Sequence, residues 1–231
     1  MVQSHMPVLS VVLAFAIVGC ATAEASPSSE PEPSKTTRDP GVSDAPTHPA
    51  KQYKSVTIGS QEWMAKNLNV SVFRNGDAIA QVKSTKGWLA AQETKSPAWC
   101  YHGNNPKNGK KYGKLYNWYA VRDSRGLCPK GWHVPTDAEW RKLIATFGGM
   151  GSAYSKLKAP DSFAARPAGA RDFASGAFHA SGSITFWWSA SANDDWNAWY
   201  HAMHFVYRQV GRDNGGMNAG HSVRCVKDKK R

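Results

Sequence analysis

The chain has 231 residues, with 29 Lys plus Arg against 17 Asp plus Glu and a net charge of +12. That length has room for one sizeable domain with accessory segments, or for two small domains, and for little more. The basic excess draws acidic polymers or anionic surfaces at the level of encounter and does not by itself specify a nucleic acid.

In chain order, Val8–Val18 (VLSVVLAFAIV) is an apolar run of eleven residues. It is too short for a stable membrane span and has the length of a signal-peptide core. Residues 1–19 are therefore expected to be a lipoprotein-type leader. Ile17-Val18-Gly19-Cys20 matches a bacterial lipobox, which makes Cys20 the expected lipidation site and the mature N-terminus. Two or three acyl chains would hold the protein on a membrane. The leader's first residues, MVQSHMP, carry no Lys or Arg, so ordinary cleavage near Ala21-Thr22-Ala23 stays open. Ala21 after the cysteine points to the outer membrane or cell surface. Residues 20–50 comprise the cysteine and a stretch with six of the thirteen prolines and no aromatic residue. Such composition cannot offset chain entropy by burial and is expected to be a disordered tether.

Residues 51–231 form one expected domain, with 27 basic against 12 acidic residues and all ten tryptophans. It opens on a hairpin. Val56 and Ile58 alternate with polar residues, Gly59-Ser60 makes the turn, and Trp63 returns on the apolar side. A loop-rich stretch is expected up to Gly113, with Asn-Asn-Pro and Asn-Gly as turn chemistry. LYNWYAV (115–121) is a helix or a strand; seven residues do not separate the two. Next comes GLCPKGWHVPTDAEWRKL (126–143), which crowds a cysteine, a histidine and two carboxylates together. Thr136-Asp137-Ala138-Glu139 is a capping box, and Trp140, Leu143, Ile144 and Phe147 follow as one helical face that ends at Gly148-Gly149. Both carboxylates thus have a helix-start role. The last third is expected to be short strands. These are FWWSAS (186–191), an alternating AWYHAMHFVYRQV (198–210), a turn at Asp213–Gly216, and a final strand in HSVRCVKD (221–228) that pairs with the first.

Six segments occur together in this order: TIGSQEWMAKNLN (57–69), YGKLYNWYAV (112–121), GLCPKGWHVPTDAEW (126–140), PAGARDFASGAF (167–178), FWWSAS (186–191) and HSVRCVKD (221–228). In them the chain resembles the Fibrobacter succinogenes major paralogous domain family over residues 53–228. The resemblance implies an α+β, C-type-lectin-like fold of short antiparallel strands, one or two helices and much loop, distantly related to the sulfatase-modifying enzymes. It also implies an exported or lipid-anchored bacterial protein for which surface binding is the usual supposition. One departure concerns residues 158–167, where a longer family segment is shortened and Arg166 stands at an apolar position. A ligand site shaped by that loop would differ here.

With Cys20 assigned to lipid, Cys100, Cys128 and Cys225 remain: one disulfide and one odd thiol. The lectin-like resemblance places Cys128 near Cys225 and leaves Cys100 as a buried free thiol; a Cys100–Cys128 bridge stays open. No CxxC or HxxxH pair exists, so no metal or other cofactor is expected. The Cys128–His133 spacing sits between Pro129 and Pro135, a rigid corner, and His133 is read as a packed, hydrogen-bonded histidine. Calcium-dependent sugar motifs are absent, whereas aromatic stacking needs none. Trp187, Trp188, Trp196 and Trp199 are the candidate ligand contacts, although most suit a core as well. The expectation is a non-enzymatic surface protein that binds a carbohydrate or other anionic polymer, with no nucleic acid. The alternative is a cysteine-dependent modifying enzyme.

Overall fold

The computed structural model describes residues 53–229. The expected leader, Cys20 and the tether lie outside the described residues. The fold is α+β, with three separate sheets and five helices among the described residues.

The hairpin is present. β1 (Ser55–Ile58) and β2 (Gln61–Met64) pair with Ile58 opposite Gln61. This leaves Gly59-Ser60 as the connection, with Gly59 at φ 58°, the positive value such tight turns need. β12 (Val226–Lys227) lies between β2 and β6 (Trp132–His133), so the order is β1-β2-β12-β6. The first and last strands of the domain therefore share a sheet, but the last pairs with β2 and β6 and not, as expected, with the first.

The stretch up to Gly113 differs from its loop-rich expectation. It holds β3 (Ala80–Gln81), α1 (Thr85–Glu93), β4 (Ala98–Cys100) and α2 (Pro106–Tyr112). Ser84 caps α1 by accepting from the Gly87 amide, and Trp88 and Ala91 anchor it. Asn105 caps α2, with Pro106 at the first helical position. Asn-Asn-Pro thus works as a helix start and not as a free turn. LYNWYAV is both alternatives in turn: β5 (Leu115–Tyr116), then α3 (Trp118–Arg122). Asn117 separates them because its side-chain oxygen accepts from Ala120 N of α3 and from Ala98 N of β4.

α4 (Asp137–Thr146) has both halves of its capping box, and Trp140, Leu143 and Ile144 are buried along one face. Gly148 and Gly149, both at positive φ, end it, and α5 (Met150–Lys158) follows. β7 (Ala168–Arg171), β8 (Phe178–Ser181), β9 (Ile184–Ala192), β10 (Asn197–His204) and β11 (Gln209–Gly216) form the largest sheet, ordered β11-β10-β9-β7-β8. Two expectations are corrected here. The alternating segment 198–210 is not one strand; it turns after His204, which leaves Val206 and Tyr207 66% and 71% exposed. Asp213–Gly216 is not a turn but the end of β11. Its glycines make room for rings: a Cβ at Gly216 would stand 2.7 Å from Phe173, and one at Gly215 3.2 Å from Tyr200.

Tryptophan rivets this short-stranded chain. Trp63, Trp140, Trp187 and Phe163 form one buried cluster with ring centroids 4.8–5.8 Å apart. Several buried indoles also donate to carbonyls of distant segments: Trp88 to Asn218, Trp99 to Ile79, Trp118 to Ser189 and Trp188 to Tyr116. Each couples a large apolar burial to one directional bond, which fixes irregular backbone that no ladder holds.

Candidate functional site

The cluster of reactive side chains in residues 126–143 resolves into a structural corner. Cys128 and Cys225 form the disulfide. Cys100 is a buried free thiol, and burial pushes its pKa up to about 11. Neither a paired nor a fully protonated sulfur is a nucleophile at neutral pH. His133 is hydrogen-bonded as expected but only half-buried, at the surface between Glu139 and Asp228, with Nε2 3.0 Å and Nδ1 2.7 Å from their oxygens. The bond to Glu139 raises the histidine's pKa against the opposing effect of burial, and that to Asp228 adds to it. Burial works against the Glu139 carboxylate, yet the bonds from His133 and the Thr136 amide outweigh it and hold its pKa at about 2.

Asp137 does more than start a helix. It is buried, with Arg212 forked onto both its oxygens (2.7 and 3.0 Å), Arg141 at 3.0 Å and His201 at 3.1 Å. His201 and Arg212 are cross-strand partners on β10 and β11, so one carboxylate docks the start of α4 onto that hairpin. Burial lowers the His201 pKa to about 4, so the neutral ring donates from Nε2.

Two of the four candidate tryptophans are corrected. Trp187 and Trp188 are 1% and 0% exposed, and their indole N–H groups are bonded to Asn67 and to the Tyr116 carbonyl, so neither offers a ring face. The Arg212 guanidinium lies 3.4 Å above the Trp199 ring and covers it. Trp196 is 67% exposed on a turn ordered by Asp194, which accepts from the Trp196 and Asn197 amides. Among the described residues, no His/Cys/Asp/Glu group is arranged to hold a metal ion.

A different site was not foreseen. A cleft of about 520 Å³ is lined by Ala65–Asn67 and Asn69 after β2, by Gly109–Gly113 at the end of α2, by Ala164 and Arg166 after α5, and by Arg224 before β12. Lys66, Lys110, Lys111, Arg166 and Arg224 are its charged members; no carboxylate lines it. Lys110 and Lys111 sit in the last turn of α2, where the helix dipole favours cations. Arg224 is 2% exposed on the cleft floor. It donates from Nε and Nη2 to Asn67 Oδ1 (3.0 and 2.8 Å) and from Nη1 to the Phe163 carbonyl, with its carbon 4.0 Å from the Phe163 ring centre. Asn67 in turn donates to the Tyr112 carbonyl at 2.9 Å. No ion pair among the described residues includes Arg224, and burial pulls its pKa down to about 9, still a cation at neutral pH.

Close backbone approach builds the cleft. The Leu68 amide bonds to the Val223 carbonyl and the Lys114 amide to the Leu68 carbonyl. Gly113, at φ 82°, lets these strands meet: a Cβ there would stand 2.7 Å from Leu68 O. Three of the six sequence segments noted above, 57–69, 112–121 and 221–228, converge on this one place, joined by Asn67, Tyr112 and Arg224. The chain belongs to the Fibrobacter succinogenes major domain family, whose model matches residues 56–227. No curated protein and no solved structure matches it. The cleft's remaining wall is the segment after α5 that carries Ala164 and Arg166, and Arg166 contributes a further charge to the site. Spacing could not reveal it, because its five cations span residues 66 to 224 and no two segments are neighbours in sequence.

Proposed function

We propose that this Fibrobacter succinogenes major domain is a binding module for an acidic polysaccharide, carried on an exported, lipid-anchored chain with a C-type-lectin-like fold. The observation that carries the reading is the cleft with five cations and no carboxylate, floored by an arginine without a counter-charge. A buried cation that no acid compensates is costly. An anionic group in the cleft relieves that cost, and the surface lysines and Arg166 supply attraction from solution. The +15 balance of residues 51–231 favours the same partners. The two candidate nucleophilic routes through cysteine are weakened by the disulfide and by the buried Cys100 thiol, so the binding reading stands ahead of the cysteine-dependent enzyme.

Polygalacturonate and a neutral dextran, each titrated against the protein, separate the possibilities. The acidic polymer is expected to bind, with affinity falling as salt screens the charges. Reversing Lys110, Lys111 and Arg166 to Glu, all exposed, is expected to weaken it at least about tenfold, roughly 1.4 kcal/mol. Equal binding of dextran, or an unaffected triple variant, would defeat the reading. Dextran binding that Trp196→Ala abolishes would point to the exposed indole instead. The anchor is tested separately: Cys20→Ser should move the protein from the membrane fraction to the soluble one, and continued membrane attachment would refute lipidation at that residue.

A further inference from the structure

Beside the cleft lies a pair of side chains that anion binding does not use. Lys114 follows the cleft residue Gly113, and Ser71 stands two positions beyond the cleft residue Asn69. Lys114 is 3% exposed, while Ser71 is exposed. The lysine Nζ lies 2.5 Å from Ser71 Oγ. On its other sides the amine faces the ring of Trp99 at 3.7 Å, on β4, and that of Tyr101 at 5.7 Å. No ion pair among the described residues includes Lys114.

This arrangement is unusual for an ammonium. It has three N–H donors, and among the described residues Ser71 Oγ is the one side-chain oxygen hydrogen-bonded to it. Two aromatic faces attract a cation but do not replace water. Burial lowers the lysine pKa to about 8. That brings the neutral amine within reach near pH 8, and in that form it offers its lone pair to the Ser71 hydroxyl proton. The serine is the exposed member of the pair, and the lysine behind it is almost fully buried.

We propose that Ser71 and Lys114 form a serine–lysine dyad that cleaves O-acyl esters, with Ser71 as nucleophile and Lys114 as general base. As Ser71 Oγ attacks the ester carbonyl carbon, its proton passes to the neutral Lys114 amine. The new Oγ–C bond forms, the bond from carbon to the alcohol oxygen breaks, and the Lys114 ammonium returns the proton to the departing alkoxide. Water then attacks the acyl-serine, Lys114 takes a water proton and delivers it to Ser71 Oγ as the acid leaves. The balance is ester plus water to acid plus alcohol, with no redox partner. The neighbouring cleft suggests acyl esters borne by the acidic polysaccharide; that part of the proposal rests on the binding reading, whereas the dyad itself does not.

The test uses the intact protein with a fluorophosphonate probe and with p-nitrophenyl acetate. The expected result is one adduct, mapped by mass spectrometry to Ser71, together with turnover of the ester. The rate should rise with pH to a plateau whose midpoint lies near 8. Ser71→Ala, a change at an exposed position, should abolish both signals, and Lys114→Arg should slow labelling at least about a hundredfold. Because Lys114 is buried and its replacement puts the fold at risk, the pH profile of the unmodified protein is the second readout. Labelling of Ser71 no faster than of other exposed serines, no inflection near pH 8, or an adduct without turnover would each overturn the proposal. Turnover of p-nitrophenyl acetate needs no polysaccharide and polygalacturonate binding needs no turnover, so failure of the dyad is distinguishable from failure of the cleft.

Discussion

Asp137→Asn is expected to destabilise the domain by about 3 kcal/mol, because it removes the one charge that the buried His201 and the half-buried Arg212 share. The side chain keeps its volume, so no cavity is made and the loss reports on charge. Arg212 would remain against Trp199 with its fork pointing at a neutral amide, and His201 would stay buried beside it. Arg141 is mostly exposed and contributes little. For a domain of this size, about 3 kcal/mol corresponds to roughly a 6–12 °C fall in Tm. A pH signature accompanies it. Burial opposes ionisation of Asp137, but the bonds from Arg212 and His201 win, and its pKa lies below the ordinary 3.8. A depressed folded pKa gives stability that is fully present above the unfolded value and lost as pH falls through the folded one. The gap in urea midpoint between wild type and variant should therefore be constant from pH 5 upward and close below about pH 4. A gap that persists at pH 2, or none at pH 7, would show that the carboxylate does not hold α4 to the hairpin.

Removing the disulfide, by Cys128→Ala with Cys225→Ala, is expected to cost roughly 2–5 kcal/mol. The two cysteines are 97 positions apart, so the cross-link restricts a large part of the unfolded chain. In the folded state it joins the corner before β6 to the residue that precedes β12. A Tm fall on the order of 10 °C should appear both in the double variant and on reduction of the native protein. Cys100→Ala alone should leave the response to reductant unchanged, since that sulfur is not bridged. If the reduced and oxidised proteins melted together, the bridge would have no part in stability.

Legibility in the sequence followed the reach of the interactions. The β1–β2 hairpin and the α4 cap are set by residues within a few positions of each other, and both are found where the pattern puts them. α1 and α2 were not legible, because α1 lies in a stretch that reads as loop, and Asn-Asn-Pro and Asn-Gly read as turn chemistry until Asn105 is seen to cap α2. β11 was missed for a related reason: Asp-Asn-Gly-Gly resembles a turn, and only the rings of Phe173 and Tyr200 show why glycine is wanted in a strand. The Cys128–Cys225 bridge came from the family resemblance and not from spacing. The tryptophan doublet at 187–188 looked like a surface for sugars, yet lies buried under α4 and the segment 220–222, whose bridges join β5, β7 and β9. The cleft, and the Ser71–Lys114 pair beside it, were invisible because each brings together residues more than forty positions apart.

The place of β12 carries a consequence in time. The last strand is an interior strand of its sheet, flanked by β2 and β6. Arg224 and Cys225, which complete the cleft floor and the cross-link, precede it directly. A nascent chain can form its first hairpin and its capped helix early, since both are local. The four-stranded sheet must wait for β12 to leave the ribosome, and the early elements meanwhile hold unpaired edges and an unlinked Cys128. The domain thus stays unfinished until β12 has been made, and a chain cut before Arg224 should be open instead of a slightly shorter domain.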